Sequence, residues 1–159
     1  MKSRNRAKGQ SLVELAAGLM VFIPMILLLI DCSVIMIGVS VNEAACRDAA
    51  RAASSGSSPS TSSAGTHTVV PSSIPYQRAV AVIKNMYSGA GLVSISTTLA
   101  MTESLNSPTV SGAPLTGEVS VETTASVTPP FLIRVFVENG AYTFKSSQSY
   151  PYTYVAPAP

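Results

Sequence analysis

Residues 15–41 read LAAGLMVFIPMILLLIDCSVIMIGVSV, twenty-seven residues interrupted by a single charge, Asp31. A helix rises about 1.5 Å per residue and needs about 20 apolar residues to cross the hydrocarbon layer, so this stretch is long enough to span a membrane. What precedes it sets its direction. Residues 1–9, MKSRNRAKG, hold Lys2, Arg4, Arg6 and Lys8 and no acid. Basic side chains beside a span stay on the cytoplasmic side, so these four predict a single pass through a membrane with the N-terminus in the cytoplasm. A cleaved secretory signal fits less well: the apolar region is too long, and no small-x-small site follows it directly.

The rest of the composition narrows the function classes. Charged residues make up 11% of the chain, under half of the roughly 25% of ordinary soluble domains. Outside the leader, six basic side chains face eight acidic ones, so the formal net charge of +2 comes from the first nine residues. That balance gives no footprint for nucleic acid. One His and two Cys supply little for a metal site or a His-based triad, and no G-x-S-x-G elbow is present. Neither a catalytic site nor a cofactor is expected.

Beyond the span, residues 42–53, NEAACRDAARAA, are rich in helix formers. A helix running unbroken from Ser11 to Ala53 would be roughly 65 Å long, with Pro24 as its one point of weakness. Ala45, Ala49, Ala52 and Ala53 make a small-residue stripe of the kind that lets helices approach closely. Cys32 and Cys46 would lie about 21 Å apart on such a helix, too far to bridge within the chain.

Composition changes at residue 54. SSGSSPSTSSAGT (54–66) has almost no apolar or charged side chains, so residues 54–72 read as a flexible linker. His67, next to it, is expected on the surface. Residues 73–159 read as a small domain outside the cytoplasm. Pro75 opens a helix with Tyr76, Ala79, Val80, Ile83, Met86 and Tyr87 at helical spacing. Val93, Ile95, Thr97, Leu99 and Met101 alternate as in a strand, and Val119, Val121, Thr123, Ala125 and Val127 do so more clearly. FLIRVFV (131–137) fits a short helix or a strand, Asn139-Gly140 signals a turn, and AYTFKSSQSY (141–150) reads as a last strand. The aromatic end, Tyr142, Phe144, Tyr150, Tyr152 and Tyr154, suits core and edge packing, with an adhesive surface as the alternative. The expected fold is α+β: a leader (1–9), a long apolar helix (10–53), the linker (54–72), and a domain (73–159) of one helix and an antiparallel sheet of about three to four strands.

The junction of leader and apolar run reads Lys8-Gly9-Gln10-Ser11-Leu12-Val13-Glu14-Leu15. A glycine followed five residues later by a glutamate resembles the processing site of type IV prepilin-like proteins. The wider series (GQSLVELA, the apolar run, LLLID, then NEAACRDAARAAS) is similar to the N-terminal signature of TadE-like proteins of tight-adherence (Flp-type) pilus systems, over about residues 8–54. The resemblance implies a prepilin peptidase that cuts after Gly9 and leaves Gln10 as the new N-terminus. It also implies that Glu14 faces the N-terminal amine of a neighbouring pilin-like subunit packed through the same helix. The implied role is that of a minor pilin acting in pilus assembly or surface adhesion, held in the inner membrane before assembly and in the pilus, periplasm or cell surface after it. An uncleaved, permanently anchored envelope protein of the same system and a type II secretion-like pseudopilin are the alternatives. Asp31 is a candidate membrane polar residue, since an acid within a span is a functional candidate by default; it also lies where the helix would reach the opposite headgroups.

Overall fold

The computed structural model describes residues 4–55, 64–87, 91–106, 114–136 and 140–154. In chain order these form α1 (Arg4–Ser54), β1 (Gly65–Thr68), α2 (Ile74–Met86), β2 (Val93–Ile95), β3 (Ala100–Leu105), β4 (Leu115–Val127), α3 (Ile133–Phe136) and β5 (Tyr142–Tyr154). Helix α1 begins inside the basic leader, and helix continues through Pro24. The expected long helix is therefore present and starts earlier than Gln10.

Among the described residues the sheet is antiparallel and has five strands. β4, thirteen residues long, is its spine. Along one edge β4 pairs with all of β5, from Leu115↔Tyr154 to Val127↔Tyr142. Along the other edge β3 covers residues 117–122 and β2 covers residues 125–127. β1 adds to the far side of β3. Two differences from the sequence reading account for the extra strand. The alternating run at 93–101 is not one strand: it bends at 96–99, where Thr98 N donates to Ser96 Oγ, and resumes as β3. The stretch read as linker contains β1, whose Gly65–Thr68 register runs against Thr102–Leu105, followed by the buried Val69. Polar strands of this kind carry no apolar alternation to read; pairing with a neighbouring strand places them, here helped by a Thr66–Ser104 hydroxyl contact.

Side chains alternate across β4 as expected. Val119, Val121, Thr123, Ala125 and Val127 are buried, while Glu118, Ser120, Glu122, Thr124 and Ser126 are exposed or half-exposed. The buried face is covered by α1 and α2; the other face is open and carries the Lys145–Glu122 ion pair at 2.8 Å. α2 turns Pro75, Ala79 and Ile83 inward. Met86, grouped with these by spacing, faces solvent instead.

One core joins helix and head. Ala49, Ala50 and Ala53 of α1 cluster with Val69, Ala79, Ile83, Leu99, Met101, Val119 and Val121. The composition boundary at residue 53/54 therefore divides a single packed unit: the last third of α1 belongs to the head. The alanine stripe faces the chain's own sheet and α2. Small residues there allow the helix axis to approach the sheet. At Gly38 the approach is closer still, because a β-carbon there would collide with Cγ2 of Val127.

Candidate functional site

Helix α1 has two halves of opposite character. From Gln10 to Ile30 every residue is exposed except the half-buried Leu27. Leu12, Val13, Leu15, Met20, Val21 and Phe22 are among the large apolar side chains left bare there. A helix that is apolar all round must be covered by lipid or by other helices. Burying one such side chain is worth about 1.5–3 kcal/mol, so a bare stretch of this size does not persist in water. This half holds a helix long and apolar enough to cross a membrane.

From Asp31 onward one side of α1 is covered by the head. Asp31, Gly38, Asn42, Ala45, Cys46, Ala49 and Ala53 are buried, spaced by three, four or seven residues along one stripe. Four polar contacts fix the stripe to the sheet. Thr123 Oγ1 donates to Asn42 Oδ1 at 2.9 Å, and Asn42 Nδ2 donates to the Phe144 carbonyl at 3.3 Å. The Cys46 thiol lies 3.2 Å from the carbonyls of Val121 and Ser146. Such bonds between a helix and a sheet specify register as well as adding stability. Higher up, Tyr87 donates to Asp48 Oδ2 at 2.7 Å, and that bond, with partial burial, raises the phenol above its usual range.

The residues singled out from the sequence fall as follows. The Gly9–Gln10 bond lies within α1. Arg4, Arg6 and Lys8 lie on the same helix, and Lys2 is outside the described residues. Glu14 is exposed on the bare half, one turn past Gln10. Asp31 is wholly buried. Its Oδ1 accepts the Phe131 N–H at 2.9 Å and its Oδ2 accepts the Ile133 N–H at 2.8 Å. A carboxylate gripping two backbone amides is a strong, directional anchor. It ties the β4–β5 connection to the point where α1 leaves its bare half. The acid that looked like an interruption of the span is the clasp between span and head.

One buried acid escaped the sequence reading. Glu103 on β3 is only 1% exposed and accepts a hydrogen bond from the Tyr152 hydroxyl. Burial first, then that bond, pushes the Tyr152 phenol well above its usual range. His67 is half-buried rather than on the open surface, and register sets it opposite Glu103. The only hint was an acid in phase with Met101 and Leu105. Among the described residues no three His, Cys, Asp or Glu side chains gather as metal ligands would. Of the aromatic end, Tyr150 and Tyr152 lean on the core, Arg51 sits over the Tyr150 ring at 6.0 Å, and Tyr142 is exposed and stacks on Phe144.

Among the described residues, one helix is bare and apolar for its first half, long enough to cross a membrane, and built into a small α+β head for its second. Residues 9–51, nearly all of α1, match the model of the family described as TadE-like protein, so this helix is similar to the one that family shares. No curated protein and no solved structure matches the chain.

Proposed function

We propose that the chain is a minor pilin-like structural subunit of a tight-adherence (Flp-type) pilus, working in assembly or surface adhesion and not in catalysis. The observation that carries this reading is the bare half of α1, with Glu14 the one acid on it, inside a segment matching the TadE-like family. The four leader bases hold the N-terminus in the cytoplasm while the span sits in the inner membrane. Prepilin peptidase removes residues 1–9. The freed helix then exchanges lipid for the helices of other pilin-like subunits, a transfer between two apolar surroundings that costs little hydrophobic energy.

Glu14 gives that exchange a register. A carboxylate in the span costs about 2.5–3.5 kcal/mol on insertion scales. Pairing with the new α-amine at Gln10 of a neighbour offsets this cost, and the pairing exists only in cleaved chains. The head, fixed to the helix by Asp31, Asn42 and Cys46, then travels with it to the periplasm or cell surface.

The test is the N-terminus of the chain recovered from native membranes and from the sheared surface fraction. A start at Gln10, lost in Gly9→Val, is the expected result. A start at Met1 in cells with an active peptidase overturns the subunit reading in favour of the permanent anchor.

A further inference from the structure

The β4–β5 connection carries large apolar side chains that the head leaves uncovered. Phe131 is 43% exposed, Val135 79% and Phe136 86%. These residues lie on or beside α3, whose one charged side chain is the exposed Arg134. Their position along α1 is set by Asp31, which holds the amides of Phe131 and Ile133. From Ser11 to Ile30 is twenty residues, about 30 Å of helix, the thickness of the hydrocarbon layer. With Ser11 at the inner boundary, Asp31 and the loop it grips stand at the outer one. On α1 just past Asp31, Met36 and Ile37 are also left bare, and Val34, Ile37 and Leu92 line one shallow apolar hollow.

We infer that residues 131–136 of this connection form a lipid-contacting foot. Phe131, Val135 and Phe136 seat in the outer-leaflet interface beside the span, and Arg134 reaches the phosphate headgroups. Aromatic rings favour that depth, and a long basic side chain can bury its stem and keep its charge at the headgroups. The foot gives the anchored subunit two points of membrane contact, the span and α3. It thereby fixes the tilt of the head before assembly, and leaving the membrane requires both to let go. The occupant is the bilayer surface and not a soluble partner, because the patch faces the headgroup layer that the span itself defines. The inference rests on the membrane-span reading of α1.

The chain contains no Trp, so a single introduced indole reports its own surroundings. Three full-length chains, Phe136→Trp, Leu19→Trp and Ser149→Trp, are reconstituted in vesicles of phosphatidylethanolamine and phosphatidylglycerol with brominated acyl chains. Leu19 lies in the bare half of α1, and Ser149 is exposed on the open face of β5. The expected result is deep quenching for Leu19→Trp, no quenching for Ser149→Trp, and for Phe136→Trp a blue-shifted emission quenched best by bromines near the headgroup end. If Leu19→Trp is quenched while Phe136→Trp behaves like Ser149→Trp, the foot is overturned and the span stands. If Leu19→Trp is not quenched, the span reading fails and takes the foot with it. A blue shift of Phe136→Trp that depends on protein concentration in lipid-free detergent places a second copy on the patch and also overturns the inference.

Discussion

Asp31 illustrates how one side chain joins two parts of the molecule. Its buried carboxylate accepts from two partly buried backbone donors. Asp31→Ala should cost about 1–3 kcal/mol, the range for losing hydrogen bonds made to a charged acceptor. Hydrogen exchange at the Phe131 and Ile133 amides should quicken, and Asn at this position should restore part of the protection. Gly38 is the other exacting position. Gly→Ala inside a helix ordinarily stabilises by roughly 0.5–1 kcal/mol. Here the added methyl meets Val127, so Gly38→Ala should destabilise by about 1–3 kcal/mol through overpacking, lowering Tm by several degrees. The Tyr152–Glu103 contact sets an alkaline limit. The folded state holds the phenol protonated beyond its usual value of 10.0, so its contribution is complete below that pH and is lost as pH rises above it. Tyr152→Phe should therefore lower stability at neutral pH and flatten the loss above pH 10, measured as denaturation midpoints across that range.

At the scale of elements, α1 is a single helix with two environments. On the proposed function, its bare half trades lipid for protein. Glu14→Gln should leave membrane insertion and removal of the leader intact and reduce incorporation into sheared filaments, read by blotting the membrane and surface fractions of the same cells. A variant that assembles as well as the parent would remove Glu14 from the register. Most elements were legible in the sequence. α2 and β4 followed from spacing because each has one dry and one wet face. The β2/β3 break was not legible, since Thr97 and Thr98 fit a strand or a bend equally. β1 was hidden by its composition, for Gly65-Thr66-His67-Thr68 has no apolar side to reveal a sheet.

At the scale of the whole molecule, the head and the last third of α1 share one core, so they should fold as one unit. A chain beginning at Asp31 should give a cooperative thermal transition in water. One beginning at Ala64 lacks Ala45, Cys46, Ala49, Ala50 and Ala53 and should remain without fixed tertiary packing, read by near-ultraviolet circular dichroism. Domains of this size have little stability to spare, so losing one covering helix is decisive.

The sequence by itself determined the long apolar helix, the basic cluster before it, the Gly9/Glu14 pattern and the α+β class. Each of these is a local property: a run of apolar residues, a charge cluster, a spacing, an alternation. Only the tertiary structure decided what the second half of α1 does. Whether an alanine stripe meets another subunit or its own sheet, and whether Asp31 faces headgroups or a distant backbone, depends on residues about 100 positions away in the chain. No local pattern encodes such a partner, because the amides that Asp31 holds look like any others until the fold brings them to it.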